Sequence, residues 1–238
     1  MKFLALIIEA GHDKIKTKEK FMHIIWKGQS CFNLLVSPNK GEQISLVIDP
    51  YDTSTETKIS RVKSDIILST QITEKENLVT GSDELVHVID GPGEYEIKEI
   101  YIKGIACPAS LSKNKEGNAN TLFTVEAEGM NICHLGLLNQ KELTPSQLEE
   151  MGDVDILLIP VGDGGYTVDG NDAAAIVTQV EPKIVIPMFY HLPDYKLKID
   201  GPEKFLKAIG ETPEKQDKLL IKQKDLPDDN IKVVVLTP

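Results

Sequence analysis

DILLIPVGDGGYTVDGNDAAAIVTQVEPKIVIPM, residues Asp155 to Met188, is the stretch on which the fold turns. Asp155 to Val161 is a continuous apolar run, the pattern of a strand covered on both faces, and Lys183 to Met188 is a second. Between them Asn171 can cap an alanine-rich helix running to about Val180. Upstream, Thr144-Pro145-Ser146-Gln147 sets out a capping Thr, a Pro at the first helical position and a Gln at the third, with Gly152 where the helix should end. Downstream, Gly201-Pro202-Glu203 opens a last helix ending near Gly210, and Ile231 to Leu236 closes a sheet.

The amino-terminal half has a different texture. From Met22 to Asp49 the runs HIIW, CFNLLV and ISLVID are separated by Lys27-Gly28 and by Ser37-Pro38-Asn39-Lys40-Gly41, which predicts a meander of strands. Asp65 to Ser69, Leu85 to Ile89, Glu94 to Ile97 and Tyr101 to Ala106 continue the strand signal, with Gly91-Pro92-Gly93 as a turn. Asn120 to Ala127 and Met130 to His134 form a hairpin around Glu128-Gly129. A strand-rich half followed by alternating strands and helices predicts an α+β chain of the αββα sandwich type, two packed mixed sheets with helices outside. Residues 22–238 are expected to form one domain after an extension of residues 1–21, whose Met1 to Ala10 apolar run is short, closed by Glu9 and followed by no cleavage pattern.

The 238 residues carry a formal charge of −11, which repels a phosphate backbone, and no Lys/Arg-rich run offsets it. Nucleic acid is therefore not an expected partner, and no apolar run is long enough for a membrane span. Cys31, Cys107 and Cys133 are odd in number and set among apolar neighbours, so the expectation is buried thiols and a cytoplasmic location.

Several segments, in order, resemble the metallo-β-lactamase superfamily and within it the ascorbate-phosphate-lactonase-like (UlaG-like) branch. They are Gly28-Gln29-Ser30-Cys31-Phe32, Ile48-Asp49-Pro50, Asp90-Gly91-Pro92-Gly93-Glu94-Tyr95-Glu96, Cys133-His134-Leu135-Gly136, Asp155 to Gly162 and Ile186-Pro187-Met188. The resemblance implies a Thr-His-x-His-x-Asp-His loop whose imidazoles and carboxylate hold zinc or manganese. At that place the chain has Thr70-Gln71-Ile72-Thr73-Glu74-Lys75-Glu76-Asn77: Gln71, Thr73 and Glu76 at the histidine positions and Lys75 at the aspartate position. An ammonium there repels a dication by several kcal/mol in a partly desolvated pocket.

The other ligand positions that the resemblance implies are also changed. Ala109 stands for a histidine after Gly104-Ile105, Leu137 for the bridging aspartate, Phe189 for the last histidine, and Gln29 for the histidine of a Gly-His-Ser pattern. The expectation is therefore no metal cofactor, with Leu137 and Phe189 packed where ions and water sit in relatives. The function expected on this ground is a non-catalytic pseudoenzyme that acts by binding a small molecule or a protein partner, with self-association or pairing with a metal-bearing homologue left open. The alternative is a divergent hydrolase of unknown substrate, metal-free or with a non-standard single-metal site, in which Lys75, Glu76, Cys107 and His191 are the candidate catalytic or ligating groups.

Plainer roles compete for most of these residues. Lys75 and Glu76 suit a solvated charged turn, His191 an exposed loop, and His134 a strand end that shapes a loop. His23 and His87 read as half-buried sheet residues. Asp163-Gly164-Gly165-Tyr166 is either a flexible turn or a wall of the substrate pocket, and Asp49 and Asp52 are the carboxylates expected nearest the cleft.

Overall fold

The computed structural model describes residues 21–38, 42–50, 63–71, 86–107, 119–193 and 195–238. Three strands, β1 (Met22–Trp26), β2 (Phe32–Val36) and β3 (Ile44–Ile48), form the expected antiparallel meander. β4 (Ile66–Leu68) and β5 (His87–Ile89) then join parallel to β3. A second sheet begins with the antiparallel strands β6 (Gly93–Ile97), β7 (Ile100–Cys107), β8 (Asn120–Ala127) and β9 (Met130–His134). The two tight turns, Lys98-Glu99 and Glu128-Gly129, have positive φ at all four positions, the geometry that matches the twist of paired strands.

After β9 the chain alternates helix and strand: α1 (Pro145–Met151), β10 (Ile156–Pro160), α2 (Gly170–Val180), β11 (Ile184–Met188), α3 (Glu203–Ile209), then β12 (Glu214–Gln216), β13 (Leu219–Ile221) and β14 (Lys232–Leu236). The sheets have the orders β13-β1-β2-β3-β4-β5 and β12-β14-β11-β10-β9-β8-β7-β6. Side chains from both meet in one apolar core: Met22, Ile24 and Trp26 of β1 and Ile102, Val125 and Ile132 of the second sheet are all fully buried. α1 packs on β7, α2 on β10 and α3 on α2, which explains why every residue of β10 and β11 is buried and why both read as unbroken apolar runs. The fold is the expected αββα sandwich.

The helix ends show how local chemistry sets boundaries. Thr144 and Gln147 form a complete capping box on α1, and Gly152 closes it with φ 62°. α2 is capped by Asp169 and not by Asn171: the Asp169 carboxylate accepts from the N–H groups of Asn171 and Asp172, so a better anionic cap two residues earlier takes the role. His87 is exposed where a half-buried residue was expected, because β5 is the edge strand of its sheet. β12 and β13 have no counterpart among the strands expected from the sequence. Each has three residues and too little periodicity to stand out from the surrounding charge.

Candidate functional site

The carboxyl ends of β3, β4, β9, β10 and β11 and the β1–β2 turn meet at one end of the sandwich, where parallel sheets leave strand-end loops free to build a site. Three hydrogen bonds sew the sheets together there. The Phe189 N–H donates to the Gln29 carbonyl at 3.1 Å, His134 Nε2 donates to the Ser30 carbonyl at 2.9 Å, and the Thr121 N–H donates to the Thr70 carbonyl at 2.7 Å.

Asp49, 1 % exposed, anchors the first-sheet side of this seam. Its carboxylate accepts from the Thr70 N–H and hydroxyl, each at 2.8 Å, holding the start of the loop that follows β4. On the other side Asn120 bridges the β9 loop: its amide nitrogen donates to the Leu135 carbonyl and its oxygen accepts from the Leu137 N–H. Gly136 fits between them, since a Cβ there would lie 2.3 Å from the Asn120 oxygen and 2.7 Å from Thr70 Cβ, at a φ of 59°.

His134 is fully buried and has both ring nitrogens engaged. Nδ1 accepts from the Gly136 N–H at 3.0 Å, so the ring proton sits on Nε2 and points at Ser30. Burial pushes its pKa down to about 4, keeping it neutral. It shapes the loop, as expected, and has no lone pair left for a metal or for proton transfer.

Leu137 and Phe189 belong to the apolar core, with Phe189 3 % exposed at a φ of 49° and Tyr166 stacked obliquely 6.4 Å from its ring. Tyr166 itself is 42 % exposed, carried on the turn from Asp163 to Thr167, so the glycine-containing loop presents an aromatic at the mouth of this region. Gln71 follows the anchored Thr70, and its carbonyl accepts from the Ser69 hydroxyl.

Cys107 lies at the end of β7, where its thiol donates to Gln140 Oε1 at 3.1 Å. Burial raises its pKa to about 11, so it stands as a protonated thiol near neutrality. Cys31 and Cys133 are also buried free thiols, each pushed upward by burial. His191 is exposed, its N–H donating to the Asp200 carbonyl. Among the described residues no three of His, Cys, Asp and Glu converge as a metal site requires. Thr73, Lys75, Glu76, Ala109 and Asp52 lie outside the described residues. The described donors at this end therefore do not fit the two-metal centre implied by the fold.

Asn120 carries no signal in the sequence, because a polar residue opening a strand looks like an ordinary surface position. Only the fold brings it against Leu135 and Leu137. No helix among the described residues is long and apolar enough to cross a membrane.

Residues 23–189 match the model of the beta-lactamase superfamily domain. A UPF0173 metal-dependent hydrolase of Thermoplasma acidophilum is 28 % identical over 79 % of this chain and 91 % of its own length. A UPF0173 protein of Pyrococcus furiosus is 28 % identical over 71 % of this chain and 83 % of its own. Among solved structures, a Thermotoga maritima protein assigned by name to the Zn-dependent hydrolases of the metallo-β-lactamase superfamily superposes with a TM-score of 0.71. It is 32 % identical, with 90 % of this chain and 98 % of that one covered. These relatives overturn the expectation of a non-catalytic pseudoenzyme, because the proteins similar to this chain over most of their length carry hydrolase names. The chain belongs to the metallo-β-lactamase superfamily.

Proposed function

We propose that this chain is a divergent hydrolase of the metallo-β-lactamase fold whose centre differs from the usual two-metal arrangement. The observation that carries the reading is the match to the Thermotoga maritima hydrolase-named structure over 98 % of that chain, combined with the meeting of strand ends and loops from both sheets at one end of this sandwich. No step of the proposed chemistry runs through the superfamily's metal. Gln71, Leu137 and Phe189 offer no ligand set, and His134 has both nitrogens occupied.

Within the superfamily, the segments from Gly28 to Phe32 and from Asp90 to Glu96 support the ascorbate-phosphate-lactonase-like branch. The substrate is a small molecule bound between the Asp163–Tyr166 loop and the strand ends. No zinc or manganese pair is expected, and Glu76, Cys107 and His191 are the residues from which a single-metal site would have to be drawn. Lys75 with Glu76 is the candidate acid/base pair of a metal-free route. A cytoplasmic, self-associating protein suits three free buried thiols and an acidic sequence with no Lys/Arg-rich run.

The test is a turnover screen of the purified chain against lactones, thioesters and phosphoesters, with chelator and with added zinc or manganese, beside metal analysis of the protein as isolated. Chelator-insensitive turnover, or turnover with one metal per chain, supports the proposal. Absence of turnover by folded protein in every condition sinks it, and two tightly bound metals per chain sink the divergent centre.

A further inference from the structure

The Gln29 side chain is buried with no hydrogen-bond partner at either Nε2 or Oε1. The residue is 5 % exposed. An amide brings two N–H donors and an acceptor, and sealing it from water with none of them paired is destabilising, so natural chains seldom keep one without a use.

Everything around Gln29 fixes its backbone, while its amide has no partner. The Trp26 indole N–H donates to the Gln29 carbonyl at 2.9 Å, the Phe189 N–H donates to the same oxygen, and the Gln29 backbone also bonds the Tyr195 hydroxyl. Gly28 leaves no room for a Cβ, which would lie 2.1 Å from that hydroxyl. Gln29 holds a φ of 53°, and Asp49, Asp163 and Phe189, at the same end of the sandwich, hold 50°, 53° and 49°. The other left-handed non-glycine residues among those described are the tight-turn residues Lys98, Glu99 and Glu128 and the helix cap Glu181. Gln29 and Asp163 stand in turns of their own, Asp49 and Phe189 follow strand ends, and left-handed backbone gathered in this way where strand-end loops meet is the pattern of a functional site.

We infer that the Gln29 carboxamide is a substrate-binding group, and that what it takes is a neutral acyl group with a water molecule beside it. Nε2 donates to an ester, lactone or amide carbonyl oxygen, and Oε1 accepts from the water. The choice of a neutral acyl compound over a phosphoester follows from charge: an amide carries none, and a phosphate stripped of water needs cations that Gln29 does not provide. This assignment of substrate class rests on the hydrolase reading, but its test does not depend on turnover.

The probes are γ-butyrolactone, N-methylacetamide and inorganic phosphate, titrated into the full chain labelled with 15N at glutamine side chains. The Gln29 amide pair is identified by its disappearance in Gln29→Met. The expected result is a saturable shift of that pair with both acyl probes and none with phosphate. In the same series Gln29→Met should melt about 2–4 °C higher than wild type, because it removes an unpaired buried amide.

A shift with phosphate, an unshifted pair with the acyl probes, or a lower melting temperature for Gln29→Met overturns the inference. If that variant does not fold, a crystal structure of the wild-type chain with γ-butyrolactone decides instead. A lactone carbonyl within hydrogen-bonding distance of Nε2 supports the inference, and a lone water or an internal side-chain partner on the amide overturns it. Failure of the turnover screen with a shifted Gln29 pair would remove the hydrolase reading and leave the binding group standing.

Discussion

Two regions of this molecule bury glutamine amides and treat them in opposite ways. Beneath α1, Gln147 Oε1 accepts from Gln140 Nε2 at 2.6 Å and from the Thr144 N–H at 2.9 Å, while its Nε2 donates to the Ala106 carbonyl. Gln140 in turn bonds the Glu142 carbonyl and accepts from Cys107. In the β1–β2 turn, Gln29 has an equally buried amide and no partner. The contrast means that this fold can complete a buried polar network wherever stability is all that is required. The unpaired amide at the strand-end seam is thus an exception at the end of the sandwich where loops from both sheets meet.

Removing a member of the completed network should have the largest effect. Gln147→Leu takes the side-chain donor from the Ala106 carbonyl and one partner from the Gln140 amide and undoes the capping box, and is expected to cost about 4 kcal/mol, a fall in melting temperature of about 8–16 °C. A loss below a quarter of that would show the network to be idle and erase the comparison.

His134 refines the contrast as a buried polar group that is fully paired at the seam itself. Its folded pKa is depressed from 6.5 to about 4. Above about pH 6.5 neither state binds the proton and the stability is intact. As pH falls toward 4, the unfolded chain takes a proton that the folded ring refuses, and about 3 kcal/mol is lost. Urea denaturation from pH 7.5 to 4.5 should show this slope in the wild type and a shallower one in His134→Gln. Equal slopes would mean that acid destabilisation comes from other groups.

Asn120→Leu probes the bridge between the two regions, because Asn120 supports both the Leu135 carbonyl and the Leu137 N–H. The expected loss is about 2 kcal/mol by chemical denaturation. The smallest and most informative change is Gln29→Met, which should move stability the other way. Opposite signs for Gln147→Leu and Gln29→Met sustain the comparison, and matching signs end it.

The architecture was legible where the determining interactions are local. Thr144-Pro145-Ser146-Gln147 announces α1 because a capping box needs only residues three apart, and Glu128-Gly129 announces the hairpin because both positions must adopt positive φ. The cap of α2 was misread as Asn171, since Asp-Gly-Asn-Asp holds more than one capping residue and only the folded chain shows that Asp169 reaches two N–H groups. His87 misleads because alternation marks a strand without revealing whether it stands at an edge. The functional expectation failed for another reason. The residues Gln71, Leu137 and Phe189 at the expected ligand positions do not amount to loss of catalysis: the relatives carry hydrolase names, and a changed ligand set would exclude one kind of centre without excluding a reaction.

What the amino-acid order determined unaided is the identity of each donor and apolar group and the local turns and caps, since those depend on neighbours a few residues away. Tertiary structure alone decided which of them meet. It set the ring proton of His134 by placing Gly136 on one side and Ser30 on the other, kept Cys107 a thiol by burying it against Gln140, and left the Gln29 amide unpaired. Protonation and pairing depend on solvent exclusion and on contacts between residues as far apart as Ser30 and His134, so they exist only once the two sheets have closed on each other.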